Sequence, residues 1–254
     1  MLHATAWAEQ PQAAPTGLTC RAYLLYDVQS GCTVAKCNIA ARQPVASLTK
    51  LMTAILACER LRFDGRYILT QPEAKTFKTD TLRADKLLEL MLVPSNNAAC
   101  RTAARLAAGS EPAFVTQMNA KAAQLGLADT HYVNATGLPA DGQYSTAQDL
   151  LRLALIALTY PHISRALCLP EAELAGQRYE GTLKELYQRH PGLRGGKTGY
   201  TDAAGRCLVL FYSSGGRDYV LITLGSKDVA AGFRDAEKLL RHYGLYSGEV
   251  GQWK

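Results

Sequence analysis

The sequence contains no run of about 18 apolar residues, which is the length that a membrane-spanning helix needs. It also contains no block of consecutive lysines and arginines and no motif typical of RNA- or DNA-binding proteins. Its formal charge, 28 − 22 = +6, is only a mild positive excess. We therefore expect neither a membrane-spanning segment nor a nucleic-acid partner.

The chain is also poor in patterns that bind metals or form disulfide frameworks. Its seven cysteines include no C-x-x-C pair and its five histidines are scattered, so the spacing of a zinc site is absent. Cys32 and Cys37 lie on one predicted strand an odd number of residues apart, so their side chains should face opposite sides and not bond to each other. Cys58 and Cys100 fall in apolar helical stretches and are expected to be small buried hydrophobes. The sequence thus predicts no metal ion.

The chain does have enough apolar residues to build a large core. With 254 residues, 48% of them hydrophobic and 20% charged, it suits one large domain or two closely packed lobes. The predicted strands are 21–27, 32–38, 193–201, 205–214 and 217–226. The predicted helices are 47–60, 83–93, 96–109, 111–126, 144–159 and 230–244, whereas 160–193 is less regular.

This order of elements predicts an α/β (α+β) fold. An antiparallel sheet built from the N- and C-terminal strands would be flanked by helices, with an all-helical lobe, about 62–160, inserted into it. The cleft between sheet and lobe is the natural place for a functional site. Residues 19–254 are expected to form a single domain.

The first residues, 1–18, are interpreted as a leader or linker. "AWA" followed by "EQ" is similar to a small-residue signal cleavage site, although no apolar segment precedes it. This favours an export signal missing from the sequence, and a disordered leader is the alternative.

Three short motifs then occur in a fixed order. Ser47 and Lys50 begin a predicted helix, where positions i and i+3 share one face. Taken alone, Ser47 would be interpreted as a helix cap and Lys50 as a solvated lysine on the exposed face. Ser95-Asn96-Asn97 lies between two predicted helices, and Lys197-Thr198-Gly199 lies on the first strand of the C-terminal sheet. Together they are the S-x-x-K, S-x-N and K-T-G set of penicillin-binding proteins and serine β-lactamases.

Longer segments extend this likeness. From Tyr23 to Tyr246 the chain resembles the D-alanyl-D-alanine carboxypeptidase family, the low-molecular-mass serine penicillin-binding proteins. The segments that carry it are "YLLYDVQSG", "PVASLTKLMTA", "SNNAACRTAARLAAGSEPAFVTQMNAKAAQLGLADTHYVNATGL", "YSTAQDLLRLA", "GGKTGYTDAAGRCLVL" and "RDAEKLLRHYG". The resemblance implies a β-lactamase/transpeptidase-like fold and a penicillin-binding catalytic domain without a cofactor. It also implies peptidoglycan stem peptides as substrates, β-lactams as inhibitors and an extracytoplasmic, cell-wall location.

The resemblance also implies the roles of the motif residues in breaking an amide bond. Ser47 is the predicted nucleophile, and Lys50 is its base, which must be neutral to accept a proton. Burial, the positive end of the helix and the Lys197 cation are expected to lower the pKa of Lys50. Ser95 and Lys197 would relay a proton to the leaving amine. Asn97 would orient Lys50 and bind the substrate amide.

The remaining predicted site residues recognise the substrate's end. The backbone N–H of Tyr200, with that of the nucleophile, would form the oxyanion hole. Gly199 would let the backbone approach the substrate. Thr198 or Thr201 would bind the terminal carboxylate. Arg234, which precedes "DAEKLL", resembles the family's carboxylate-binding arginine, and the alternative is a surface charge on a helix.

The chain departs from the family's pattern in three places. Ala98 stands where the family often has Asp, and the segment between Ser47 and Ser95 is shorter than usual. Nothing after Lys254 corresponds to the extra β-domain and anchoring helix of many members, so we expect a catalytic module without a stable membrane anchor.

Three other functions remain open at this point. A DD-endopeptidase would use the same motifs. A serine β-lactamase would need a further glutamate, and "EAELA" (171–175) ends in Ala175 where an asparagine would be required. A catalytically inactive wall-binding protein is less consistent with motif residues that are all intact.

Overall fold

A computed structural model of the chain describes residues 14–251, so most of the predicted leader lies outside the described residues. In chain order the elements are β1 (Ala22–Asp27), β2 (Cys32–Cys37), a 3-10 turn (Ala46–Thr49), α1 (Lys50–Arg60), β3 (Arg66–Ile68), α2 (Gln71–Phe77), β4 (Thr81–Arg83), α3 (Ala84–Leu92), α4 (Asn97–Ala108), α5 (Glu111–Gln124), α6 (Ala147–Leu158), α7 (Pro161–Leu167), β5 (Glu171–Leu174), β6 (Gln177–Glu180), α8 (Lys184–Arg189), β7 (Leu193–Thr201), β8 (Gly205–Ser214), β9 (Arg217–Ser226) and α9 (Val229–His242).

A five-stranded antiparallel sheet forms the centre of the described residues. Its strand order is β2-β1-β9-β8-β7, so the N-terminal strand β1 pairs with the last strand β9. The prediction that strands from the two ends of the chain share one sheet is confirmed. Gly215 and Gly216 connect β8 to β9, and both have a positive φ that favours glycine. Within the described part of the chain β7 pairs only with β8, which leaves its other edge open for a site.

The two faces of the sheet belong to two separate core layers. On β8, Val209 and Phe211 pack with the helical lobe, whereas Leu208, Leu210 and Tyr212 pack with α8 and α9. This alternation follows from the two-residue period of a strand. Each fully buried leucine contributes about 1.5–3 kcal/mol relative to an exposed one, so both layers stabilise the position of the sheet.

The register of β7 distributes its side chains between these layers. Lys197 is opposite Val209 and therefore faces the helical lobe, whereas Thr198 is opposite Leu208 and faces the α9 side. Helix α1 lies within the helical layer and is buried from Lys50 to Ala57. A helix buried over two turns brings its polar residues into the core as well, which is why Lys50 is completely buried.

Three differences from the sequence prediction are local. The lobe over about 62–160, predicted to be all-helical, also contains the small antiparallel sheet β3–β4, whose strands of three residues are too short to show a strand pattern. The predicted helix over 47–60 begins as a 3-10 turn, and the α-helix itself begins at Lys50; no side chain caps either segment. The segment 160–193, predicted to be irregular, contains α7, the hairpin β5–β6 and α8.

The seven cysteines are free thiols, with Cys100 buried and Cys58 half-buried. Among the described helices we find none with both the length and the apolar composition to cross a membrane.

Candidate active site

The first two motif residues meet where the 3-10 turn enters α1. Lys50 Nζ lies 2.6 Å from Ser47 Oγ. The spacing i, i+3 places both side chains on one face of the turn, as the sequence predicted. Ser47 is half-buried and Lys50 is completely buried. The serine hydroxyl is therefore accessible from the cleft, with the amine behind it.

Two further oxygen atoms surround the Lys50 amine. Asn97 Oδ1 lies 2.7 Å from Lys50 Nζ, and the backbone oxygen of Thr136 lies 2.8 Å from it. A neutral amine has two N–H donors and one lone pair. These two oxygens can accept both N–H groups, and the lone pair then points at Ser47 Oγ. After a proton transfer, the ammonium group can donate to all three oxygens.

Sequence reasoning missed the role of Thr136, whose loop is built by its neighbours. Asn134 Oδ1 accepts hydrogen bonds from the backbone N–H groups of Thr136 and Gly137, at 3.1 and 2.8 Å. A Cβ atom at Gly137 would lie 1.9 Å from the backbone oxygen of Ala46, so this loop packs directly on the residue before the serine. Asn and Gly in "NATG" mark a turn, and this turn aims a carbonyl at Lys50.

The other two motifs meet across the cleft. Lys197 Nζ donates to Ser95 Oγ at 2.8 Å and to the backbone oxygen of Thr198 at 2.8 Å. Ser95 has φ +61°, a left-handed conformation that costs a non-glycine residue energy. Asn96 caps α4 by accepting from the Ala99 backbone N–H at 3.0 Å. The chain is thus turned sharply between α3 and α4, and this turn directs Ser95 at Lys197.

Burial lowers the pKa values of both lysines. For Lys50 burial is the main cause, and the charge of Arg101 lowers its pKa further. The pKa of Lys197 lies well below the usual value because of burial and then the positive charges of Lys50 and Arg206. The sequence predicted that Lys197 lowers the pKa of Lys50; in the structure burial and the Arg101 charge lower it, and the Lys50 charge in turn helps to lower the pKa of Lys197.

Strand β7 approaches the backbone of the predicted nucleophile. A Cβ atom at Gly199 would lie 2.8 Å from the Ser47 backbone N and 2.9 Å from the Val45 backbone O, so only glycine fits there without movement. The next residue, Tyr200, is 43% exposed. The backbone N–H groups of Ser47 and Tyr200 therefore belong to adjacent segments. This arrangement is compatible with the predicted oxyanion hole.

The residues predicted to bind a carboxylate occupy different surroundings. Thr198 Oγ1 donates to Thr182 Oγ1 at 2.8 Å, a partner that sequence reasoning missed. Thr201 Oγ1 accepts from the Ala204 backbone N–H at 3.1 Å and so closes the β7–β8 turn.

Arg234 lies on α9, where its Nη2 is 3.9 Å from Asp228 Oδ1. The hydrogen bond from Tyr200 to Asp202 raises the pKa of Tyr200, and the charge of Asp228 adds to that rise. The start of α9 is therefore near the C-terminal end of β7. The carboxylate-binding role of Arg234 stays a prediction.

The structure also shows where the segment "EAELA" and Ala98 lie, the two features that the sequence raised in connection with a β-lactamase and with a departure from the family's pattern. "EAELA" forms β5 of a surface hairpin, in which Glu171 and Glu173 are exposed. Glu171 pairs with Arg178 at 4.0 Å. Neither glutamate has the buried setting expected of a base that activates water for a β-lactamase. Ala98, where an Asp is common in the family, packs against the hydrophobic core.

Comparison with known proteins places this geometry in a family. The model of the D-alanyl-D-alanine carboxypeptidase family, peptidase S11, matches residues 8–228. The chain is 33% identical over 211 residues to D-alanyl-D-alanine carboxypeptidase DacB2 of Mycobacterium tuberculosis, covering 78% of this chain and 72% of the relative. It is also 33% identical over 223 residues to the D-alanyl-D-alanine endopeptidase of Pseudomonas aeruginosa, covering 82% and 71%.

The structure is similar to that of penicillin-binding protein D2 from Listeria monocytogenes in its ampicillin-bound form. The TM-score is 0.79 with 31% sequence identity, covering 92% of this chain and 99% of the other. This confirms the predicted penicillin-binding-protein fold. The length of the family match and the identity to several relatives show that the chain belongs to the D-alanyl-D-alanine carboxypeptidase family of serine peptidases.

Proposed function

We propose that this protein is a serine-type D-Ala-D-Ala carboxypeptidase that removes the terminal D-alanine from peptidoglycan stem pentapeptides in the extracytoplasmic space. The observation that carries the proposal is the Lys50 amine, held 2.6 Å from Ser47 Oγ by two carbonyl oxygens. Its buried position, which lowers its pKa, favours the neutral amine that this chemistry needs.

Acylation follows from this arrangement. Neutral Lys50 accepts the Ser47 proton as Oγ attacks the carbonyl carbon of the penultimate D-alanine. The backbone N–H groups of Ser47 and Tyr200 stabilise the negative oxygen that forms. A proton then passes to the leaving amine through Ser95 and Lys197, whose side chains are 2.8 Å apart. The C–N bond breaks, D-alanine leaves and an ester with Ser47 remains.

Deacylation reverses the roles of these groups. Water attacks the ester carbon and gives a proton to the same network, and Ser47 Oγ leaves with a proton from Lys50. A β-lactam would react at the first step only, because its leaving amine stays covalently attached to the acyl group. β-Lactam binding by this chain is supported by the ampicillin-bound relative of the same fold.

A DD-endopeptidase is the second candidate, and one observation favours it. A relative that is 33% identical over 223 residues is named an endopeptidase. Both activities attack a D-alanyl carbonyl and differ in the size of the leaving amine. A cross-link needs more room on the leaving side than a single D-alanine does.

Incubation with two substrates separates these candidates. We expect faster release of D-alanine from a pentapeptide ending in D-Ala-D-Ala than cleavage of a cross-linked dimer, measured by chromatography of the products. Ser47→Ala should abolish both reactions and serves as the control. Cleavage of the dimer without release of D-alanine would favour the endopeptidase. Neither reaction by the folded protein would favour a wall-binding protein without activity.

A further inference from the structure

The loop between β6 and α8 connects the two sides of the cleft through Thr182. Its backbone N–H donates to the backbone oxygen of Val93 at 3.1 Å, two residues before Ser95. Its hydroxyl lies 2.8 Å from Thr198 Oγ1 on the facing strand. The preceding residue, Gly181, donates to the Pro170 backbone oxygen at 2.9 Å. Thr182 is therefore fixed by its backbone while its hydroxyl faces the K-T-G motif.

The hydrogen atoms of the two hydroxyl groups limit what Thr198 can do. Each hydroxyl has one hydrogen to donate and two lone pairs to accept. In the structure Thr198 donates to Thr182. Thr198 is only 2% exposed, and its backbone oxygen already accepts from Lys197. Because a carboxylate only accepts, Thr198 must turn its hydrogen away from Thr182 in order to bind one.

We propose that Thr182 is a positioning residue for recognition of the substrate carboxylate, acting through the Thr198 hydroxyl. When a carboxylate arrives, Thr182 reverses direction and donates to Thr198, and Thr198 donates to the carboxylate. Thr198 thus keeps a partner both in the free enzyme and in the complex. The identity of the substrate rests on the proposed function, whereas the hydroxyl pair does not.

The pair should strengthen the contact with the carboxylate in two ways. A hydroxyl that accepts one hydrogen bond is polarised and donates the next one more strongly. The Thr182 hydroxyl also fixes the orientation of the Thr198 hydroxyl, 2.8 Å away. Removing it should weaken the binding of carboxylate ligands and spare ligands that lack the charge.

Thr182→Val tests this, because valine keeps the shape of the side chain and the backbone bond to Val93. The measurement is the second-order rate of acylation by a penicillin and by its methyl ester. With the free acid we expect a decrease of about 3- to 10-fold, the size of one lost hydrogen bond. With the ester the rate should change less than about twofold, because the ester lacks the charge that this bond recognises. Thr182→Ser, which restores the hydroxyl, should recover the rate with the acid.

A purely structural role would give a different pattern. The two rates would then fall by the same factor, and that result, or no change in either rate, would overturn the proposal. Thr116→Val is the matched control, since the Thr116 hydroxyl donates to the Pro112 backbone oxygen on the exposed side of α5. It should leave both rates unchanged. If Thr182→Val does not fold, Thr182→Ala gives the same comparison without the added methyl group.

The same assay keeps this inference separate from the proposed function. Acylation by a penicillin does not require release of D-alanine. A protein that releases no D-alanine but loses its preference for the acid in Thr182→Val would contradict the carboxypeptidase and support the role of Thr182. Release of D-alanine by the parent protein, together with an unchanged preference for the acid in Thr182→Val, would support the carboxypeptidase and contradict the role of Thr182.

Discussion

Replacing Lys50 with arginine is expected to slow acylation of Ser47 by about 10²- to 10⁴-fold, the contribution of a general base. The guanidinium group stays protonated at every accessible pH and has no lone pair for the serine proton. In the parent protein Lys50 Nζ lies 2.6 Å from Ser47 Oγ and also contacts Asn97 Oδ1 and the Thr136 backbone oxygen, so a neutral amine bonded to those two oxygens has its lone pair free for the serine proton. The measurement is the rate of covalent labelling by a fluorescent penicillin.

Lys50→Met is the matched control, since it is close in size and also lacks a neutral amine. Both variants should be folded by circular dichroism and equally slow. The pH profile gives a second readout. Burial lowers the pKa of Lys50 below the usual 10.5, so the parent rate should rise with pH as the amine loses its proton. Neither variant should show this rise through the Lys50 pKa. Acylation of either one at the parent rate would show that Lys50 is not the base.

Replacing Ser95 with glycine should make the protein more stable and much less active. Glycine adopts φ +61° without the penalty that serine meets there, so the free energy of unfolding should increase by up to about 1 kcal/mol. The same change removes the hydroxyl that accepts from Lys197 at 2.8 Å. Loss of this proton relay should lower the rate of D-alanine release by about 10²-fold or more. Chemical denaturation and a turnover assay measure the two effects.

A second left-handed residue provides the control for Ser95→Gly. Lys78 has φ +54° at the C-terminal end of α2 and is exposed. Lys78→Gly should raise stability by a similar amount and leave turnover unchanged. A Ser95→Gly variant with parental turnover would remove Ser95 from the mechanism. A clear loss of stability would show that the hydroxyl, and not the backbone strain, dominates at this position.

The sheet and the longer helices could be predicted because each carries a pattern long enough to recognise. The predicted bounds of β7, β8 and β9 agree with the structure, and the pairing of β1 with β9 follows from strands at both ends of the chain. The strands β3 to β6 and the helices α2, α7 and α8 were missed because they have three to seven residues, too few for periodicity to appear. For α2 a usable signal existed: Thr70 and Glu73 form a capping box.

Only those site residues whose side chains belong to recognisable motifs could be predicted from the sequence. Ser47, Lys50, Ser95, Asn97 and Lys197 stand in motifs, and the fold brings them together. Thr136 contributes a backbone carbonyl, which every residue has, so its identity gave no signal. Thr182 lies 16 residues from Thr198 in sequence, and only the loop between β6 and α8 makes their hydroxyl groups neighbours.

The most direct test of the central claim is the site of penicillin attachment. Protein labelled with a penicillin, digested and analysed by mass spectrometry, should carry one adduct on the peptide that contains "ASLTK", with fragmentation placing it on Ser47. Ser47→Ala, folded to the same extent, should carry none. An adduct on another residue, or no adduct on the folded parent protein, would contradict acyl transfer through Ser47.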